Sequence, residues 1–68
     1  MIKLNKNIIY HITDELDEKI GFFLNCKTNE IYRLDSIAVA YFYEILNANN
    51  KEEVKEYLGY FEGVDIFE

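Results

Sequence analysis

The hydrophobic period of this chain changes once, from two to 3.6 near residue 35, and this dictates strands first and helices after. In Asn7–Thr13 the residues Ile8, Tyr10 and Ile12 share one face, with Ile9, His11 and Thr13 on the other. The run Thr13–Lys19 (TDELDEK) is acidic and reads as a turn. In Ile20–Cys26 the set Ile20, Phe22, Leu24 and Cys26 alternates with Gly21, Phe23 and Asn25, and the first set is the expected core face. Lys27–Thr28–Asn29 is a tight connection in which Asn29 suits the left-handed backbone that hairpins need. Glu30–Leu34 then sets Tyr32 and Leu34 against Ile31 and Arg33. The sequence therefore predicts a three-stranded antiparallel meander over about residues 7–13, 20–26 and 30–34.

Beyond residue 35, Asp35 or Ser36 can cap a helix by accepting from the free amides of its first turn. Ala38, Tyr41, Phe42, Ile45 and Leu46 form an apolar stripe over a helix at about 36–47. Asn47–Asn50 breaks it. Asn50 with Glu53 resembles a capping box, and Val54, Tyr57, Leu58 and Phe61 stripe a second helix at about 51–60. Gly59 or Gly63 is a plausible stop, leaving an apolar stub at residues 64–68. The expected fold is a single α+β domain over residues 1–68.

A chain of 68 residues buries only about 60% of its unfolded surface, so its core is marginal without staples. One cysteine cannot close an internal disulfide, and one histidine with one cysteine cannot fill a four-ligand zinc site. Stability must come from aromatic and aliphatic packing, from oligomerisation or from a bound partner. The opening MIKLNKNIIYH does not read as a signal peptide, and no apolar run is long enough to span a membrane. A free cysteine without a disulfide framework points to the cytoplasm.

The net charge of −6 is lopsided. Residues 1–34 balance five positive against five negative side chains, so the excess falls on residues 35–68, where Lys51 and Lys55 face eight acids. Nucleic-acid affinity comes largely from neutralised phosphates, which an acidic helical half opposes. An acidic face suits a basic partner, and it also serves simply to keep a small protein soluble.

No constellation for catalysis or metal binding emerges. The chain has one serine (Ser36), one histidine (His11) and one cysteine (Cys26), and the strand parity sets His11 and Cys26 on opposite faces. Cys26 is expected as a small buried thiol. Asp14, Glu15, Asp17 and Glu18 lack the glycine and terminal glutamate of a calcium loop, and the three glycines are too scattered for a phosphate loop. No enzyme activity, cofactor or metal is expected. Phe23 and Ile31 fall on the sheet face opposite the expected core and could form an exposed patch, but only Arg33 and Lys27 lie near enough to serve a nucleic-acid platform. The strand Glu30–Leu34 ends the meander and so lies at an edge. Its unpaired amides and carbonyls either template an added peptide strand or are blunted by Glu30 and Arg33.

The stretches Gly21-Phe22-Phe23-Leu24, Thr28-Asn29-Glu30-Ile31-Tyr32-Arg33-Leu34-Asp35, Ile37-Ala38, Ile45-Leu46, Glu53-Val54 and Leu58 together resemble the PqqD-like RiPP recognition element. That family runs through a hydrophobic strand, a Thr-Gly turn, an aromatic-x-Leu-Asn strand end, a helix with Thr-Ala near its start, and a second helix with a Glu-aliphatic pair. Here Asn29 stands for the glycine, Asp35 for the asparagine and Ile37 for the threonine; the first two keep the roles of turn and helix cap. The resemblance covers about residues 8–68. It implies a winged helix-turn-helix-like fold without enzyme activity, which binds the leader segment of a ribosomally made precursor peptide. The leader is then presented to a modifying enzyme such as a radical SAM enzyme, a cyclase or a protease. In the family the leader adds antiparallel to the third strand, between it and the third helix. Carried onto this chain, the implied binding residues are Glu30, Ile31, Tyr32, Arg33 and Leu34 on the strand and Val64, Asp65, Ile66 and Phe67 on the opposite wall. A third helix of roughly a dozen residues does not fit before Glu68. It is expected to be truncated, reduced to one turn, or supplied by exchange with a second copy.

The alternatives are a small interaction module acting as an obligate homodimer and a winged-helix transcription-related protein. The expected partners are a basic and apolar leader peptide and its modifying enzyme, with neither nucleic acid nor membrane.

Overall fold

The computed structural model describes residues 2–15 and 17–68. Three antiparallel strands, β1 (Ile8–Glu15), β2 (Glu18–Asn25) and β3 (Ile31–Leu34), form a sheet in the order β1-β2-β3. Two helices follow, giving the α+β arrangement expected from the switch of period. The acidic run that reads as a turn is mostly ladder instead: β1 and β2 pair from Ile8 opposite Asn25 out to Glu15 opposite Glu18. Asp14 lies opposite Lys19, a cross-strand pair of opposite sign, and Asp17 and Glu18 are exposed at the hairpin tip. Asp17, at φ 64°, supplies the positive φ of the connection.

The β2–β3 turn is built on Asn25. Its Oδ1 accepts from the N–H groups of Lys27 (2.9 Å) and Thr28 (3.2 Å), and its carbonyl accepts from the Asn29 N–H (2.7 Å). Asn29 adopts φ 63°, the conformation its position in the sequence predicts. Asn25 is buried because the turn folds over its side chain; the amide's hydrogen bonds offset the desolvation.

Directly opposed residues of an antiparallel ladder share a face. Tyr10, Phe23 and Tyr32 therefore line up across the inner face, as do Ile12, Gly21 and Leu34. This reverses the expected parity of β2. Phe23 is wholly buried, whereas Phe22 is 44% exposed and Cys26 also lies at the surface. The segment IGFFLNC carries apolar residues in both parities, so alternation alone cannot choose between them. Packing chooses. A Cβ on Gly21 would lie 2.8 Å from Phe23 Cε1 and 3.3 Å from Val39 Cγ2, so any side chain here would force Phe23 or the helix layer to shift. The exposed apolar side chains of the outer face are consequently Ile9, Phe22 and Ile31.

Helix α1 (Ser36–Leu46) starts where Asp35 Oδ1 accepts from the Ala38 N–H at 2.9 Å. Ala38, Val39, Phe42 and Ile45 are its buried stripe, while Tyr41 and Leu46 of the expected stripe are half-buried. Tyr10 stacks on Phe23 at 5.2 Å, and Phe42 sets its edge against both, at 5.2 Å and 4.8 Å. The second helix is interrupted. A 3₁₀ turn (Lys51–Val54) is capped by Asn50 Oδ1 on the Glu53 N–H, and α2 (Lys55–Tyr60) begins after the buried Val54 at φ −126°. Glu53 returns its carboxylate to the N–H of Asn49 rather than Asn50, a near variant of the expected capping box.

In place of a short third helix, the residues after α2 turn at Gly63 (φ +84°) and run back beside the start of the chain. The Asn5 N–H donates to the Ile66 carbonyl (2.8 Å), the Glu68 N–H donates to the Lys3 carbonyl (2.9 Å), and Leu4 bridges Phe67. Ile66 is wholly buried, Phe67 packs on Phe42 and Phe61, and the Ile66 N–H donates to the Val64 carbonyl (3.0 Å), so core contacts hold this segment in tight turns rather than a helix. Gly21→Ala is expected to destabilise the fold by about 1–3 kcal/mol through overpacking against Phe23 and Val39. Chemical denaturation would show this as a lower midpoint, and an unchanged midpoint would refute the close approach.

Candidate peptide-binding groove

Which backbone groups β3 offers to a partner follows from its hydrogen-bond alternation. The Asn25 N–H donates to the Glu30 carbonyl at 2.9 Å, so these two opposed residues form a hydrogen-bonded pair. Alternation along the ladder makes Phe23/Tyr32 and Gly21/Leu34 hydrogen-bonded pairs as well. The main chain of Tyr32 and Leu34 thus points at β2, and that of Ile31 and Arg33 points at the open edge. Among the described residues no strand lies beyond β3.

That edge fronts a groove of about 370 Å³. Its near side is Ile31–Leu34, its end is the start of α1 at Asp35 and Ala38, and its far wall is Tyr60, Phe61 and Val64. Of the residues singled out in the sequence, Ile31, Tyr32, Arg33, Leu34 and Val64 come together here. Glu30 precedes the strand, and its carboxylate accepts from the Tyr32 hydroxyl at 3.2 Å. Asp65 is exposed next to the groove, Ile66 is in the core, and Phe67 pairs with Leu4. Tyr60 and Phe61 are wall residues outside the set that the sequence implies for the groove. The sequence signal for Tyr60 is an aromatic that falls off the α2 apolar stripe, and in the structure it is 52% exposed. Tyr41 and Phe61 hold its ring by edge contacts at 5.2 Å and 5.6 Å.

The groove combines an apolar lining with a predominantly acidic rim. Glu30, Asp35 and Asp65 surround it against one cation, Arg33. Asp35 is partly committed to capping α1. The Tyr32 phenol is held above its ordinary value of 10.0, first by desolvation and then by the hydrogen bond to Glu30 and that carboxylate's charge. The main chain of Asp65 pulls the other way and its carboxylate charge adds to the rise, both smaller in effect than the first causes.

Other chemistry finds little footing. His11 and Cys26 share the outer face rather than lying on opposite faces, because the Cys26 N–H continues the ladder onto the Asn7 carbonyl at 2.8 Å. His11 is opposite Phe22, four residues along β2 from Cys26, or about 13 Å at strand rise. The thiol is exposed, against its expected burial, because β2 presents its even-numbered residues outward. Among the described residues no group of three or more His, Cys, Asp or Glu side chains is placed to hold a metal ion, and no helix is long and apolar enough to cross a membrane. No family model matches the sequence, and no curated protein or solved structure matches it.

The raised Tyr32 phenol has a direct test. In an alkaline ultraviolet titration, the difference between wild type and Tyr32→Phe should isolate one tyrosine that ionises above pH 10.0. Because the folded value is raised, its contribution to stability is present below the unfolded value and declines as pH rises through the folded one. A difference curve centred at or below 10.0 would remove the proposed environment.

Proposed function

We propose that this chain is a non-catalytic module that captures the leader segment of a ribosomally made precursor peptide by strand addition to β3. The observation that carries the reading is the outward main chain of Ile31 and Arg33 fronting a groove walled by Tyr60, Phe61 and Val64. An added strand gains affinity from backbone bonds to Ile31 and Arg33, and specificity from side chains seated in the groove. The apolar lining favours aliphatic or aromatic side chains, and the acidic rim favours basic residues beside them. The resemblance of Thr28–Asp35 to the corresponding segment of PqqD-like recognition elements supports the choice of a leader peptide over other extended ligands. A modifying enzyme such as a radical SAM enzyme, a cyclase or a protease is the second partner in this reading. The exposed free thiol of Cys26 supports a reducing, cytoplasmic setting.

Amide exchange with synthetic leader segments from a precursor reading frame beside the gene tests this at residue resolution. Binding should protect the Ile31 and Arg33 amides and leave Tyr32 and Leu34, already bonded to β2, nearly unchanged. Arg33→Pro removes one outward N–H at a position where an edge strand tolerates proline. It should weaken binding on the order of tenfold, about the worth of one backbone hydrogen bond. Uniform protection across the sheet, or binding indifferent to Arg33→Pro with the fold intact, would defeat the proposal.

A further inference from the structure

The second edge of the sheet, β1, is longer than β3 and lies away from the groove. The bond from the Cys26 N–H to the Asn7 carbonyl makes Asn7/Cys26 a hydrogen-bonded pair, so Ile9, His11 and Thr13 also point their main chain at β2. Tyr10, Ile12 and Asp14 then direct theirs outward, together with the Ile8 carbonyl; the Ile8 N–H is taken by the Asn5 carbonyl at 3.0 Å. Edges of this length are ordinarily blunted by lysine, proline or a covering element. Here α1 packs over β2 and β3, the chain contains no proline, and Ile8–Thr13 carries no acid, lysine or arginine. Ile9 is 63% and Tyr10 is 42% exposed.

We propose that a second copy of this chain pairs antiparallel along β1, about a two-fold axis at Tyr10. In that register Tyr10 bonds its own symmetry mate, and each Ile12 N–H reaches the partner's Ile8 carbonyl. Side-chain and hydrogen-bond parity agree, because outward-directed residues meet outward-directed residues. The charges choose the register. Asp14 of each copy comes beside the Lys6 turn of the other, so two ion pairs flank an apolar centre. The two neighbouring two-fold registers, centred on Ile9 and His11, would set Asp14 against Leu4 or Ile8 and pair neither charge. The assembly is a closed, isologous six-stranded sheet. Its two β3 edges lie at opposite ends, five strand spacings or about 24 Å apart, so both grooves stay accessible. This inference is independent of what the groove binds.

Sedimentation velocity of the full chain across micromolar to millimolar concentration tests it together with exposed-site charge variants. Wild type should show a concentration-dependent monomer–dimer equilibrium, with Tyr10, Ile12 and Asp14 amides protected more strongly as dimer forms. Lys6→Asp and Asp14→Lys should each weaken dimerisation on the order of tenfold by opposing like charges at both ends. The double exchange Lys6→Asp with Asp14→Lys should restore it. Circular dichroism keeps folding separate from assembly. A wild type that stays monomeric up to millimolar concentration overturns the proposal, as does a dimer that neither single variant weakens. Protection of Tyr10 and Ile12 in a monomer only when a leader segment is added would assign β1 to peptide instead, and overturn it too.

Discussion

The close approach of α1 to the middle of β2 is the constraint on which the rest of this small fold depends. Gly21 leaves room for Val39, and Phe23 fills the space beside it with Phe42 against its face. Once Phe23 points inward, the two-residue period of the sheet determines every other side chain on three strands. Tyr10, Tyr32 and Leu34 are drawn into the same layer, and Ile9, Phe22 and Ile31 are left on the far side. A chain with a single cysteine, and with no metal-binding cluster among its described residues, has few other means of locking a register. An aromatic cluster built around one glycine supplies that lock in a core too small to tolerate a slipped strand.

The order of elements was legible because the change of period is a backbone-level signal, and Asp35, Asn50 and Asn29 act through local chemistry that needs no tertiary context. Asp35 and Asn50 cap helical turns, and Asn29 adopts positive φ, for reasons internal to a few residues. The face of β2 was not legible. Phe22 and Phe23 are adjacent and identical, and only the glycine before them, read as a docking site for a helix, could have broken the tie. The near side of the groove was legible as an edge strand. Its far wall was not, because Tyr60 and Phe61 reach it only after the break at Val54 re-aims the helix, and Val64 only after the turn at Gly63. A wall that includes Ile66 and Phe67 needs a helix there, where core contacts impose turns instead.

Negative charge is unevenly distributed on this molecule, although exposed apolar side chains occur on both sides, Ile37 and Tyr60 among them on the helices. The acids of the 3₁₀ turn and α2, Glu52, Glu53 and Glu56, lie on the helical side, while the outer sheet face carries Ile9, Phe22 and Ile31 with His11 and Arg33 and has no acid in its middle rows. A cationic ligand therefore meets an attractive field on the helical side, which includes the groove, and a weaker one on the sheet. Such steering acts on the rate of encounter more than on final affinity, and salt screens it within about 10 Å.

The far wall of the groove hangs on the pairing of the two chain ends. Asn5 and Asp65 are separated by 60 residues along the chain, so bringing these segments together carries a loop-closure cost on the order of 3–4 kcal/mol. Contacts of such high order generally form late in folding and are among the first lost in sub-global opening, while the β1–β2 hairpin is local and persists. Val64 joins the wall to this late segment, whereas Ile31–Leu34 belong to the early sheet. The groove thus has one wall set by a local ladder and another that is tied, through Val64, to contacts between the two chain ends. A ligand seated between them would act as a staple on the folded state and raise the free energy needed to separate the two ends.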